Sequence, residues 1–426
     1  MWISFGWRTA CGFAVVSFIA ILGPSLLFNN SRYLCKLSWL FRTQGGINLT
    51  PEAGKDLNWI HNWISVQIYG LGWSILKTVG IIGGGIIGLA VAKKFAKAGY
   101  PTSLFTYGKS ASSVAPGVNS IKGLFKGNSP LFRLKISGHH QLWNELRELE
   151  QASKTCLDLR KSTLEPFKSQ ADLARLGERA FHGRFLRLFG TQIIPRNESL
   201  SWLNPSFIGA LVYPDDFSFD SQKSLEMLLK VFLEKGGEQI GKQVSSVERR
   251  GGSFVVHTAC GFEYSFDDVI VSAGASTPFL LKASGVQLDG FTYKAGVGME
   301  AKSPFVASIK RGQTSLNGNG KKLKFSAKDF KVSADLGLED FEMRYRDEIQ
   351  AHFNELLADL KDLSPHFLEP LPLAGVRLDG PQRSPYVGRY SAGGTHGPLI
   401  AAGFHKSAWS LAWWAADTLL DLVEKS

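Results

Sequence analysis

Cysteine is scarce in this 426-residue chain: Cys11, Cys35, Cys156 and Cys260 stand far apart, with no Cys-x-x-Cys pair and no histidine interleaved among them. That spacing excludes a zinc ribbon and a disulfide scaffold, and it fits a reducing compartment. Internal repeats are absent too, which excludes solenoids and propellers. Acidic residues are missing from Leu57 to Asn144, between Asp56 and Glu145. The charge is lopsided as a result: residues 1–140 hold 14 Lys and Arg against 2 Asp and Glu, and residues 141–426 hold 34 against 35. No aromatic-basic motif of a nucleic-acid module accompanies the basic third, so nucleic acid is not an expected partner. A membrane-facing N-terminus accounts for the same bias.

A charge-free run from Thr9 to Phe28 is long enough to cross a bilayer. Arg32, Lys36 and Arg42 after it outnumber Arg8 before it, which places the large C-terminal body in the cytoplasm, tethered to the inner face of a membrane. A second uncharged stretch, Leu57–Leu76, carries Trp59, Trp63 and Trp73 and reads as an interfacial helix. The alternatives for residues 1–76 are a signal peptide and a dispensable extension.

From residue 77 onward the chain is globular in composition and long enough for two domains. Val79 to Ile82 form an apolar strand that runs into Gly83, Gly84 and Gly85, then Ile86, Ile87 and Gly88 at the start of a helix closed by Gly99. The first glycine of such a loop permits a tight turn, the second a close approach of backbone to a pyrophosphate, and the third close packing of helix on strand. The helix N-terminus then turns its positive end toward phosphate. The next strand ends Leu104-Phe105-Thr106-Tyr107, where a ribose-binding Asp or Glu is usual.

Helix-period segments come next, around Leu142–Leu149 and Leu164–Leu188, then a helix capped by Asp220 and ended by Gly236. Short β-type runs lead to Val269–Val271, whose successors Ala273 and Gly274 are small enough to lie beneath a cofactor. The stretch SLNGNGKKLKFS reads as a hairpin, Leu338–Leu360 as an amphipathic helix and Ser410–Leu422 as a last helix. Before that helix, AAGFHKSAWSLA forms a glycine turn entering a helix N-terminus. The order predicts an α/β protein, with a Rossmann-like nucleotide domain interrupted by a sheet-based second domain. The nucleotide domain is expected over 77–160, 212–285 and 374–426, and the substrate domain over 161–211 and 286–373.

From about Thr78 to Val423 these segments resemble the D-amino acid oxidase and glycine oxidase family of FAD-dependent oxidoreductases. The resemblance implies noncovalent FAD, with the Gly83–Gly88 loop at the pyrophosphate. Val244 would lie by the adenine, Ala273 and Gly274 near the nucleotide, and Gly403, His405, Lys406, Ser407 and Trp409 by the flavin ring. The family's ribose acid falls at Thr106, with Tyr107, Lys109 or Ser113 to compensate, and its small-residue stretch retains Ala115 and Gly117. Its GLRP motif reads Gly375-Val376-Arg377-Leu378, which makes Arg377 the partner of a substrate carboxylate, with Lys406 beside it.

The resemblance implies oxidation of a C–N bond in a D-amino acid, glycine, N-methylated amino acid or related amine. Hydride would pass to flavin N5, and oxygen or a quinone would accept the electrons. Other readings stand beside it: a dehydrogenase serving a membrane quinone, a tRNA-modifying oxidase, and a degenerate flavoprotein without turnover. For Arg377 the competing expectation is a structural ion pair with Asp379, two residues on and on the same strand face.

Overall fold

Val79–Ile82 is the strand from which the molecule is organised, and all four of its residues are buried. The computed structural model describes residues 77–121, 130–181, 190–311, 314–333, 341–364, 366–392 and 395–425. The Thr9–Phe28 run and the Leu57–Leu76 stretch lie outside these residues. Among the described residues no helix is long and apolar enough to cross a membrane.

In chain order, β1 (Val79–Ile82) leads into α1 (Ile86–Lys97) and β2 (Thr102–Phe105). Next come α2 (Pro130–Ser153), β3 (Arg160–Phe167) and α3 (Gln170–Phe181). They are followed by β4 (Gly209–Ser218), α4 (Ser221–Glu234), β5 (Glu238–Ile240), β6 (Asp268–Val271), β7 (Thr292–Lys302) and β8 (Lys322–Val332). The chain closes with α5 (Arg346–Leu363), β9 (Leu368–Asp379), β10 (Tyr386–Ala392), β11 (Thr395–Ala402) and α6 (Ala408–Glu424).

A six-stranded sheet in the order β10-β11-β6-β1-β2-β5 is parallel throughout except for β10. Helices α1, α2, α4 and α6 cover one face through Phe95, Leu142, Phe232 and Trp413. A three-stranded sheet covers part of the other, where Phe105 meets Tyr264 and Phe266 edge-on at 5.2 and 5.9 Å. Asp220 caps α4 as its sequence predicts, with its side chain accepting from the backbone N–H groups of Gln222 and Lys223.

The second sheet has nine strands and runs from β9 through β7 and β8 to β3 and β4. The sequence of β7 alternates cleanly. Val297, Met299 and Ala301 bury one face against Phe353, Leu356 and Leu360 of α5, and Lys294, Gly296, Gly298 and Glu300 occupy the other. Burying each large apolar side chain there contributes about 1.5–3 kcal/mol. Between Gly296 and Gly298 the pairing of β7 with β8 slips, so that Asp329 stands opposite Gly296 and Ser326 opposite Gly298.

The hairpin expected in SLNGNGKKLKFS forms, with Leu316 opposite Phe325. The helix expected from Leu164 does not. Leu164 belongs to β3, paired with Val212 of β4, and α3 begins only at Gln170. Pro166 explains the difference, because a helix interior does not tolerate it while a strand's margin does. The chain leaves the second sheet after Asp379 and returns to the first at Tyr386.

Candidate active site

The glycine loop between β1 and α1 is enforced by close contacts. Gly83 has φ of +122°, and a Cβ there would lie 2.3 Å from the Ser272 carbonyl oxygen. A Cβ on Gly88 would lie 1.8 Å from the Gly83 carbonyl oxygen, so the helix sits against the turn as a dinucleotide loop requires. Gly84 backs onto the Thr106 methyl group. Gly85 is the N-cap of α1 and offers no side-chain cap, while Ile86 and Ile87 bury their side chains in the core. The Ile86 N–H donates to Ser112 Oγ at 3.2 Å. This helix end, with glycine where a side chain would intrude and the Ser112 hydroxyl on its first N–H, fits the pyrophosphate of FAD.

The loop that carries Ser112 is held from two sides. Ser113 donates to the Ser110 carbonyl at 2.8 Å, Lys324 Nζ donates to the Ser113 carbonyl at 2.8 Å, and Ser221 Oγ donates to the Ala115 carbonyl at 2.6 Å. Burial pushes the Lys324 ammonium below the usual lysine range. Sequence reasoning missed Lys324 and Ser221, which lie far along the chain and carry no motif. Ala273 and Gly274 follow β6 as expected, Gly274 with φ of +59°. Val244 opens the strand Val244–Arg250 and packs against the core cluster that includes Phe105.

At the end of β2, Thr106 Oγ1 accepts from Gln239 Nε2 at 2.9 Å, and its backbone N–H donates to the Ile240 carbonyl. The hydrogen-bond partner of the threonine side chain is therefore a side chain of β5. Tyr107 is 64% exposed.

The second cluster gathers on the polar face of the nine-stranded sheet. Arg377 on β9 stands opposite Lys294 on β7, and two residue pairs further along Gly375 stands opposite Gly296, which faces Asp329 on β8. Arg377 crosses over Gly296 and donates through Nη1 to Asp329 Oδ1 at 2.5 Å. A Cβ on Gly296 would lie 2.5 Å from Arg377 Nη2, so only glycine leaves the path open. The ion pair expected between Arg377 and Asp379 is not made. Asp379 is held by Lys294 at 2.5 Å from the neighbouring strand, and Arg377 reaches the other way.

The late turn completes the cluster. Gly403 (φ +81°) and His405 (φ +47°) bend the chain ahead of α6, and Phe404 bridges back to Asp379. His405 Nε2 lies 3.3 Å from Asp329 Oδ2, its Nδ1 lies 3.5 Å from Asp379 Oδ1, and Lys406 Nζ lies 2.9 Å from Asp329 Oδ2. Burial opposes ionisation of Asp329, but the His405 hydrogen bond, the Arg377 charge and Lys406 outweigh it, so its carboxyl is held well below the usual range. Asp329 is thus a fixed anion and not a proton acceptor. Ser407 precedes α6 and donates its backbone N–H to the Phe404 carbonyl, and Trp409 rests edge-on against Phe219 at 4.7 Å. The structure brings Arg377, His405 and Lys406 together and adds Asp329, Asp379 and Lys294. Among the described residues no group of three or more His, Cys, Asp and Glu side chains is placed to hold a metal ion.

The family model described as FAD dependent oxidoreductase matches residues 78–422. No curated protein matches the sequence. Among solved structures, glycine oxidase from Geobacillus kaustophilus is 20% identical and superposes with a TM-score of 0.67, over 83% of this chain and 96% of that one. Iminodiacetate oxidase from Chelativorans sp. BNC1 is 18% identical with a TM-score of 0.65, over 82% and 95%. L-amino acid deaminase from Proteus myxofaciens is 15% identical with a TM-score of 0.62, over 83% and 91%. At these identities the likeness to the solved structures is one of fold.

Proposed function

This chain belongs to the FAD dependent oxidoreductase family, and from that premise we propose that it oxidises the C–N bond of a small amine bearing a carboxylate, such as an amino acid or an N-substituted amino acid. The half-used guanidinium of Arg377 carries the substrate class. Nη1 is engaged by Asp329, and among the described residues no second protein group meets the guanidinium. Its remaining donors form a planar fork suited to a carboxylate. Lys406 adds a second cation beside it, so the two residues hold the carboxylate and orient the adjoining C–H. FAD, when bound by the Gly83–Gly88 loop, supplies the two-electron acceptor. That glycine oxidase is among the structural neighbours supports the same substrate class.

The test is spectroscopic. Purified, FAD-loaded full-length protein is mixed without oxygen with glycine, sarcosine, D-alanine and iminodiacetate. The visible flavin absorbance is expected to bleach with at least one of them, and a spectrum unmoved by all four overturns the proposal. The Thr9–Phe28 run supports attachment to a membrane with the catalytic body on the cytoplasmic side, and with it a quinone as electron acceptor.

A further inference from the structure

Two full cations, Arg377 and Lys406, converge on the single carboxylate of Asp329, whose side chain is only 10% exposed. On the other side of His405, Lys294 is matched by Asp379, and Lys135 of α2 adds its charge near that carboxylate. The Asp329 side thus carries an excess of one positive charge, on Arg377 at 22% and Lys406 at 40% side-chain exposure. One substrate carboxylate offsets that excess, and a second reaching for the same two cations would meet the like charge of Asp329, which already bonds to both. Asp329 cannot swing away cheaply, since His405, in its left-handed turn, also leans on it at 3.3 Å.

Building on the reading that Arg377 binds the substrate carboxylate, we propose that Asp329 is the specificity-determining residue of this site. It is a built-in carboxylate that restricts the enzyme to amines carrying one carboxylate and discriminates against those carrying two. Such selection by a placed like charge is specificity by repulsion.

Calorimetric titration of the FAD-loaded enzyme with acetate and with malonate tests this, using the wild type, Asp329→Asn and Asp329→Ser. The wild type is expected to bind acetate at least as tightly as malonate. Both variants are expected to tighten malonate by about tenfold or more and acetate by about threefold or less, which inverts the preference. Equal tightening of both anions would reduce Asp329 to a source of field and overturn the proposal, as would an unchanged ratio in a variant that keeps its FAD. The clamp reading fails separately: Arg377→Lys would then bind acetate as the wild type does. If Arg377→Lys weakens acetate binding while the Asp329 variants leave the ratio alone, the clamp stands and the selectivity assignment falls. Loss of FAD from both Asp329 variants would make the residue part of the cofactor's support and overturn the proposal as well.

Discussion

Arg377 and Asp329 are joined across two strand spacings by a guanidinium that lies over Gly296. The absence of one side chain on β7 thus connects β9 to β8, and the geometry of the carboxylate site depends on it.

Gly296→Ala therefore displaces Arg377 without touching its charge. A methyl group at 2.5 Å from Nη2 forces the guanidinium aside. The expected result is a fall in kcat/KM on the order of a hundredfold with FAD content unchanged, because misplacement by about 1 Å costs that much. Normal kinetics in this variant would show that the substrate does not use Arg377.

Arg377→Lys keeps Asp329 paired but loses the planar fork. The expected loss of substrate affinity is on the order of 2 kcal/mol, or about thirtyfold. Thermal stability and FAD content should hold. A lower melting temperature with unchanged kinetics would make the residue structural.

Thr106→Glu restores a charged acceptor at the end of β2, and Gln239 already points a donor there at 2.9 Å. FAD binding measured by fluorescence quenching should tighten, by roughly tenfold for one charge-assisted hydrogen bond. A dissociation constant that stays the same or rises would mean that the ribose is read elsewhere.

His139 is 2% exposed, and burial pushes its imidazole down to about 4 although Nε2 meets the Asp215 carbonyl at 2.8 Å. The unfolded chain takes up this proton near 6.5, so the folded state loses stability as pH falls from there toward 4, by up to about 3 kcal/mol. Above 6.5 the residue contributes no pH dependence. Denaturant melts of His139→Gln should be flatter than the wild type across that window, and parallel curves would assign the acid sensitivity elsewhere.

Much of this was legible in the sequence, and the reasons are local. The turn Gly83–Gly88 announces itself because its four glycines, its strand and its helix are contiguous, and Arg377 sits in a short motif. Asp329 carries no motif. Its partners lie 48 and 76 residues away, and only the strand order brings them together. Gln239 is equally silent, since its role depends on β5 pairing with β2. Leu164 misled because the helical spacing of Leu173 and Leu176 begins just beyond it, while Pro166 and the pairing with β4 place it in a strand.

The slip between β7 and β8 has a consequence of its own. Lys324 supports the cofactor loop and Asp329 the carboxylate site, five positions apart on one strand. In a regular strand an odd interval puts two side chains on opposite faces. Their partners on β7, Glu300 and Gly296, are an even interval apart, so the extra residue at 327–328 is what corrects the parity. Regular one-to-one pairing beyond Ser326 would instead set Asp329 opposite Ala295 and turn it toward the layer of Val297 and Met299 while Lys324 stayed in place. The bulge, by absorbing its extra residue locally, thus keeps the two halves of the candidate site in phase.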